Sequence, residues 1–505
     1  MAFSCLVRNS PHKFTEIYSK RLPKLVVALH SAVEGDVEKL CKIIISHPFP
    51  EKPLLPVLQN HVPSSQLPAA FVESVLGRLF ASHSNGLKAL EFFRFSLRHP
   101  CYVPSSDAFE KTLHILARMR YFEKAWEFMY EITHSHPFLL TTKSMSILLS
   151  RIAKFGSYED SLAAFERMKE IFVGRSFGIE EFNTLLRAFC TQRTMKDAQL
   201  LFVQMCDRFP PNNKTMDILL LGFKETGDIS SMDLFYHDLR RRGFQPNEVT
   251  FSIRIDAYCK KGYIADAQRI FEEMEQAKYA PSLELLTTLI LGAGIAKNAP
   301  KAWEFFNEIR RRNMKPDVGA YNALISSLVH CRDLKAVASL MAEMDEKCIS
   351  HDDVTYRTVF SALVRAGDSE SVVYLFHKMI ARNFVPKERT VVMLVKFLCL
   401  SGHLELGLQL WCYILERGHT PHRNALHLLV TALCSRSRVD EALDCCQQLL
   451  ETGICPKKET YEMLKSCCQE DNQTKKLIAI DQLLSTQLRY MPPQPSIVRP
   501  GRTWL

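Results

Sequence analysis

Proline returns at a fixed interval of 35 residues through much of the chain, and this spacing limits the fold more than any other feature. The residue before a proline is pushed out of the helical region, so each proline is expected to separate two helices. A period of this length predicts an array of small repeated units. His351 stands where one proline of the series would fall. The prolines in phase are Pro211, Pro246, Pro281, Pro316, Pro386, Pro421 and Pro456.

The unit 248–282 contains two short series of apolar residues, each with the spacing of one helix face. Gly262 separates the two series, which predicts helix A, a tight turn and helix B. The apolar residues are Phe251, Ile255 and Tyr258 in helix A, and Ile264, Ala267, Phe271 and Met274 in helix B.

Neither helix of such a hairpin can bury its apolar face alone, whereas stacked neighbours can share a continuous core. The period therefore predicts an all-α protein, an α-solenoid in which about 11–12 helical hairpins form a right-handed superhelix. One groove of the superhelix would be lined by the A helices.

The repeated unit resembles that of the pentatricopeptide repeat (PPR) family, in its P-type form of pure 35-residue repeats without a carboxy-terminal catalytic extension. The resemblance rests on "VTF" or "AYN" at the start of helix A, "YCKKG" at its end, "FEEM" in helix B and "KPD" at the join. The implied array covers 70–492, behind a helical cap predicted at 25–69 and before a Pro-rich tail at 493–505. Its repeats are 70–105, 106–141, 142–178, 179–212, 213–247, 248–282, 283–317, 318–352, 353–387, 388–422 and 423–457, with a partial repeat at 458–492.

The resemblance implies binding of single-stranded RNA in a mitochondrion or chloroplast, with one base read by each repeat. The fifth and last residues of a repeat would read the base, and the second residue would pack on its face. The base-reading residues would be Asn183 with Asn212, Asp217 with Asn247, Ser252 with Ser282, Thr287 with Asp317, and Asn322 with Asp352, and the base-stacking residues Val249 and Val354.

Three of these pairs resemble family pairs for particular bases. Small amides, hydroxyls and carboxylates suit the task because they can bond a Watson–Crick edge without filling the space that the base needs. The family reads RNA from 5′ to 3′ along the chain, which implies a pyrimidine, two undetermined nucleotides, G and U. The three pairs are Thr287 with Asp317 for guanine, Asn322 with Asp352 for uracil, and Asn183 with Asn212 for a pyrimidine.

Two later pairs depart from the pattern and match no base-reading pair: Arg357 with Lys387, and Val392 with His422. Together with other basic residues, Arg357 and Lys387 predict a basic groove in the carboxy-terminal repeats.

Phosphate contacts are expected from cations near the ends of the A helices. Four such residues share the thirteenth position of their repeats, and the alternative is a favourable charge at a helix carboxy terminus. They are Arg118, Lys154, Lys260 and Arg365.

The first residues of the chain suggest an organellar address. The segment 1–24 is basic, contains serine and has a single acid, Glu16, which is typical of a transit peptide. An ordinary basic terminus is the alternative, and a mitochondrion is favoured over a chloroplast. A net charge of +9 is compatible with nucleic acid without requiring it. No segment is apolar for long enough to span a bilayer, so no membrane contact is expected.

Catalysis, cofactors and metal are not expected. The chain has no phosphate-binding loop, nucleophile elbow or dinucleotide fingerprint. Cysteines such as Cys190 and Cys259 recur at the twelfth position of their repeats, which predicts packing between helices and no metal site.

Two functions remain open at this point. The first is a non-catalytic RNA-binding protein of an organelle that helps to process, stabilise or translate transcripts, as a monomer and with other organellar RNA-processing proteins as further partners. The second is a helical-repeat scaffold that binds another protein, which is the usual task of related 34-residue repeats.

Overall fold

The computed structural model describes residues 36–62, 67–172, 177–192 and 194–470. These residues form helices joined by short turns and contain no strand, so the all-α prediction is confirmed. The predicted transit peptide, the Pro-rich tail, and residues 25–35, 63–66 and 471–492 of the predicted cap and last repeat lie outside the described residues.

The chain divides into two compact units, Met1–Ala257 and Tyr258–Leu505. The division falls within one helix, α13 (Glu248–Lys260). The helices that precede it are α1 (36–46), α2 (Leu55–His61), α3 (Ala69–Ala81), α4 (Gly86–Leu97), α5 (Ser106–Arg118), α6 (Phe122–Ser135), α7 (Thr142–Phe155), α8 (Tyr158–Ile171), α9 (Ile179–Thr191), α10 (Met195–Met205), α11 (Asn213–Thr226) and α12 (Ile229–Arg241), with a 3₁₀ turn at Pro137–Leu139.

The second unit continues with the same alternation of helices and turns. Its helices are α14 (Ile264–Gln276), α15 (Leu283–Ile295), α16 (Ala299–Arg311), α17 (Val318–His330), α18 (Leu334–Glu346), α19 (Asp353–Ala366), α20 (Ser369–Ala381), α21 (Glu388–Leu400), α22 (Leu404–Glu416), α23 (Arg423–Cys434), α24 (Val439–Glu451) and α25 (Lys458–Glu470).

Each unit is a stack of helical hairpins. From α3 onward, the odd-numbered helices are the A helices, and those from α3 to α23 are each paired with the following even-numbered helix B. In the second unit, for example, α15 contacts its partner α16 and also the next A helix, α17. An edge-to-face contact between Phe306 and Tyr321, with ring centroids 5.1 Å apart, joins α16 to α17 and closes the core between successive hairpins.

The A helices begin in register with the predicted repeats. Helix α5 begins at Ser106 and helix α19 at Asp353, each the first residue of a predicted repeat, whereas α3 begins at Ala69, one residue before 70. The fifth residue of α3 is therefore Glu73, and it accepts a hydrogen bond from the Ser105 hydroxyl at 2.6 Å.

A left-handed residue ends most A helices at the fifteenth position of the repeat. Gly262 takes this conformation with φ of 76°, which glycine does without steric penalty. Lys297 and Arg332 occupy the same position in the next two repeats, with φ of 54° and 61°. The turn is therefore kept even where the sequence offers a long cationic side chain in place of glycine.

In the described part of the chain, no helix has the length and apolar character needed to cross a membrane.

Candidate nucleic-acid interface

A cavity of about 310 Å³ opens on the A-helix face of the first unit. Its walls come from three successive A helices, α7, α9 and α11. They include second and fifth residues of the predicted repeats, so side chains at these two positions share one cavity. The lining residues are Thr142, Lys143, Ser146, Glu180, Asn183, Thr184, Arg187 and Lys214.

The last residue of a predicted repeat has a structural role that the sequence analysis missed, since it caps the next A helix. Asp352 accepts a hydrogen bond from the Thr355 backbone N–H at 2.8 Å, and Asp317 accepts one from the Ala320 N–H at 2.8 Å. A cap of this kind stabilises a protein by about 0.5–2 kcal/mol. The signal was present in the sequence, because a small polar residue stands directly before each of these helices. Asn212, Asn247 and Ser282 cap α11, α13 and α15 in the same way.

Asn322 and Asp352 are hydrogen-bonded to each other. Asn322 Nδ2 donates to Asp352 Oδ1 at 3.0 Å, and the Thr355 hydroxyl donates to Asn322 Oδ1 at 2.6 Å. Burial alone would raise the pKa of Asp352, but hydrogen bonds from Thr355 and Asn322 outweigh it, so the pKa lies below the ordinary 3.8. The carboxylate is therefore ionised at neutral pH and accepts hydrogen bonds.

Asp217 and Asn247 form a similar pair in the first unit. Asn247 Nδ2 donates to Asp217 Oδ2 at 3.2 Å, and the Thr250 hydroxyl donates to Asp217 Oδ1 at 2.7 Å. Burial raises the pKa of Asp217 above the ordinary 3.8, although the two hydrogen bonds oppose the shift. Both carboxylate oxygens are already hydrogen-bonded within the protein.

Asn183 and Asn212 make a weaker contact, with Asn183 Nδ2 and Asn212 Oδ1 3.4 Å apart. The Asn183 side chain is 2% exposed, and its Oδ1 has no hydrogen-bond partner among the described residues. The Thr215 hydroxyl donates to Asn212 Oδ1 at 3.0 Å. Asn183 also lines the cavity of about 310 Å³, although its unpartnered amide oxygen is itself buried.

The fifth residues of the remaining two pairs donate to the backbone of their own helices. The Thr287 hydroxyl donates to the backbone carbonyl of Leu283 at 2.7 Å, and Asp317 is exposed. Ser252 and Ser282 belong to different units, and the Ser252 hydroxyl donates to the Glu248 carbonyl at 2.8 Å.

The second residues of the repeats are of two kinds. Val249 and Val354 leave 54% and 41% of their surface exposed, so each presents an apolar face to solvent. In the first unit the corresponding residues Glu180 and Lys214 form an ion pair of 2.5 Å across the cavity wall. The valines thus expose apolar surface, whereas charge lines the cavity in the first unit.

The four predicted phosphate-binding residues lie in different surroundings. Arg118 points inward, where Nη1 donates to the Phe80 carbonyl at 2.9 Å and the guanidinium lies 4.5 Å from the centre of the Phe80 ring. Burial and the nearby charge of Arg151 lower the pKa of Arg118. The other three, Lys154, Lys260 and Arg365, have exposed side chains.

Arg365 belongs to a basic pocket that the sequence analysis did not identify. The pocket has a volume of about 590 Å³ in the second unit, and no carboxylate is among the described residues that line it. Two of its cations, Lys297 and Arg332, are the left-handed residues that end α15 and α17, and His330 is the last residue of α17. Thirteenth and fifteenth positions of successive repeats therefore meet, which the 35-residue period could have indicated.

The cysteines at the twelfth position lie against neighbouring helices. Burial raises the pKa of Cys190 to about 12, so this thiol stays protonated at neutral pH. Cys259 is also buried. No group of three or more His, Cys, Asp or Glu side chains suited to a metal ion occurs in the residues that the structure describes.

Comparison with known proteins identifies the repeat. Models of the PPR repeat match residues 242–275 and 354–384, and a model of the PPR repeat family matches 316–365. The Arabidopsis thaliana pentatricopeptide repeat-containing protein At3g61360 is 54% identical over 276 residues, which are 55% of this chain and 55% of that protein. The mitochondrial pentatricopeptide repeat-containing protein At5g15010 of the same plant is 23% identical over 51% of this chain and 44% of its own length. The matched stretch thus spans about half the length of these relatives.

Among solved structures, the pentatricopeptide repeat protein PPR10 from maize is similar over 89% of this chain and 68% of that chain, at 17% identity and a TM-score of 0.48.

Proposed function

We propose, from the premise that this chain belongs to the pentatricopeptide repeat family, that it binds single-stranded RNA along the A-helix faces of its two units. Each repeat would take one nucleotide, as repeats of this kind do. The protein itself supplies no catalysis and helps to process, stabilise or translate transcripts in an organelle. That organelle is the mitochondrion, with the chloroplast as the alternative.

One observation carries this proposal: the fifth and last residues of repeat 318–352 meet through a 3.0 Å hydrogen bond between Asn322 and Asp352. Asp352 comes from the start of the next A helix, so the pair bridges two hairpins. The neighbouring Val354 side chain is 41% exposed and offers an apolar surface to a base face. Hydrogen-bonding groups beside an apolar surface are the combination that recognises an unpaired base.

The cavity between α7 and α11 supports the same proposal in the first unit. Its volume of about 310 Å³ leaves room for a flat ligand next to the unpartnered Asn183 amide oxygen. Exocyclic amino groups of bases are donors that can bond such an oxygen.

The test is RNA affinity as a function of salt. The full chain would be titrated with a single-stranded oligonucleotide that contains a pyrimidine, two arbitrary nucleotides, G and U, and with a scrambled oligonucleotide of equal length. The logarithm of the binding constant should fall linearly with the logarithm of salt, with a slope of about −0.7 for each phosphate contacted. The matched oligonucleotide should bind more tightly than the scrambled one. Affinity that stays flat with salt, or no binding at all, would remove the proposal.

Protein binding is the second candidate, and the ion pair between Glu180 and Lys214 favours it, because two charges occupy positions where a base would need an apolar face. A flat salt response together with a stable complex with another protein would favour this alternative. We infer the mitochondrial address from family relatives named as mitochondrial, and fluorescence of a tagged full-length protein in plant cells would test it.

A further inference from the structure

A buried threonine hydroxyl of the following repeat touches the fifth residue of several repeats. The Thr355 hydroxyl lies 2.6 Å from Asn322 Oδ1, and the Thr250 hydroxyl lies 2.7 Å from Asp217 Oδ1. Each threonine is the third residue of its A helix and is fully buried.

The same contact recurs near the end of the described chain. His427, the fifth residue of repeat 423–457, has its Nδ1 2.9 Å from the hydroxyl of Thr460. Thr460 is the third residue of α25 and is fully buried.

The position of these threonines allows the hydroxyl to turn to the preceding repeat. A serine or threonine inside a helix usually donates to the carbonyl four residues before it, as Thr287 and Ser252 do. For the third residue of a helix that carbonyl lies ahead of the helix and is not aligned with it. The hydroxyl of Thr355 therefore has its acceptors in the cap residue, Asp352, and in the fifth residue of the preceding repeat, Asn322.

Repeat 353–387 has the hydroxyl without the acceptor. Thr390 is the third residue of α21 and is fully buried, and among the described residues its hydroxyl has no hydrogen-bond partner. The fifth and last residues of the repeat are Arg357 and Lys387, whose side chains donate and cannot accept. In this repeat the hydroxyl therefore meets no acceptor from the fifth or last residue of the preceding repeat.

Two further repeats lack the contact. Thr287 and Asp317 are followed by Ala320 at the third position, and no hydrogen bond joins that pair in the described structure. Thr215 donates only to Asn212, and the Asn183 amide oxygen stays without a partner in the described residues.

The contact fixes which atoms the fifth residue presents. In repeat 318–352 the Asn322 carbonyl oxygen accepts from Thr355, and its amide nitrogen donates to Asp352. A flipped amide would bring the carbonyl oxygen against the Asp352 carboxylate, which is unfavourable because both are acceptors. The amide therefore keeps one orientation, with one N–H and one lone pair left for a base.

We propose that the third residue of the following A helix is a positioning residue for base selection, so that selectivity is set by three side chains drawn from two repeats. This inference rests on the proposed RNA binding. The chain then contains a fixed amide at Asn322, an amide with an open acceptor at Asn183, and a position at Thr390 where the hydroxyl is present but the acceptor is missing.

The first experiment replaces Thr355 in the full chain. Thr355→Val keeps the shape of the side chain and removes the hydroxyl, and Thr355→Ser restores it. Binding would be measured for four RNA oligonucleotides that differ only in the nucleotide opposite repeat 318–352. We expect the preference for the best base to fall by about fivefold in Thr355→Val, the effect of one hydrogen bond, and to return in Thr355→Ser.

Thr390→Val is the matched control, because it makes the same change at the same helical position where the hydroxyl has no acceptor. Base preference should be unchanged in this variant, and its melting temperature should equal or exceed that of the wild type. Unchanged selectivity in Thr355→Val, or equal losses in the two variants, would overturn the proposal. Absence of RNA binding by the wild type would instead refute the proposed function, so the two failures are distinguishable.

A gain of selectivity gives the opposite test. The double variant Arg357→Asn with Lys387→Asp supplies the acceptors that Thr390 lacks. We expect a new preference for one base at the nucleotide opposite repeat 353–387, and its loss when Thr390→Val is added. A preference that persists after this third change would overturn the role of the hydroxyl.

Discussion

A close approach between two A helices makes a specific prediction for Gly294. A methyl group at this position of α15 would lie 2.6 Å from the Cα of Ser327 and 2.7 Å from its Cβ, in α17. Real Cβ atoms are essentially never this close to such atoms, and a backbone Cα cannot move unless the helices separate. Gly294→Ala should therefore destabilise the second unit, although alanine is the better helix former.

The magnitude follows from three contributions. Exchange of glycine for alanine inside a helix stabilises it by about 1 kcal/mol. Overpacking at so short a distance costs about 1–3 kcal/mol. The Ser327 hydroxyl also donates to the Ile290 carbonyl of α15 at 2.8 Å, and separation of the helices would remove about 1 kcal/mol of stabilisation from that hydrogen bond. The expected net change is a decrease of about 1–3 kcal/mol in the free energy of unfolding.

Thermal unfolding followed by far-ultraviolet circular dichroism would measure the effect. For a unit of this size a decrease of about 2 kcal/mol should lower the melting temperature by about 4–8 °C. Gly77→Ala is the control, because the added methyl group in α3 would meet only the Lys111 Nζ, at 4.0 Å. This variant should be slightly more stable than the wild type. If Gly294→Ala were as stable as Gly77→Ala, the reasoning from helix spacing would be refuted.

Three further predictions concern charged groups. Asp345→Asn should lower the free energy of unfolding by about 1–2 kcal/mol in urea titrations, because it removes the carboxylate that pairs with Lys378 at 2.5 Å. Burial alone would raise the pKa of Asp345, but hydrogen bonds and nearby cations lower it below the ordinary 3.8. The destabilisation should therefore appear above pH 3.8 and shrink below it. Burial raises the pKa of Asp217, so ionisation of this carboxyl destabilises the folded state as pH rises from 3.8 through the folded-state pKa. The difference in melting temperature between Asp217→Asn and the wild type should therefore be more positive at pH 7 than at acid pH. A difference that does not change with pH would contradict this reasoning. Changing Arg332 and Arg365 together to Gln should weaken binding of every RNA sequence equally. The slope of the logarithm of the binding constant against the logarithm of salt should become shallower by about 0.7 for each phosphate that the protein no longer neutralises. A loss of affinity for one base only would exclude a phosphate role.

The 35-residue period predicted the helical hairpins because packing repeats with it. Apolar residues that must face a neighbour recur in phase, and small polar residues recur where several A helices start. Helix α19 begins at Asp353, directly after Asp352, as that phase predicts. Only at α3 did the period slip by one residue, in a repeat of irregular length.

Side-chain directions were harder to predict, because they depend on neighbours in other repeats. Arg118 shares its repeat position with the exposed Lys154, but the preceding A helix offers Arg118 an aromatic ring at Phe80, and the guanidinium lies over it. Thr390 could not be distinguished from Thr355 in one repeat considered alone. Their difference lies in the preceding repeat, where Asn322 accepts a hydrogen bond from Thr355, whereas Arg357 and Lys387 can only donate and leave Thr390 without an acceptor.

At the left-handed turns of Lys297 and Arg332, the residue that favours thermal stability differs from the residue that favours binding of a negatively charged ligand. A residue with a Cβ in this conformation is less favourable than glycine by roughly 1–2 kcal/mol, so glycine at both sites would raise the melting temperature. The same exchange would strip two positive charges from the basic pocket. Selection for thermal stability alone should therefore replace these two cations with glycine. Selection for binding of a polyanion should keep them.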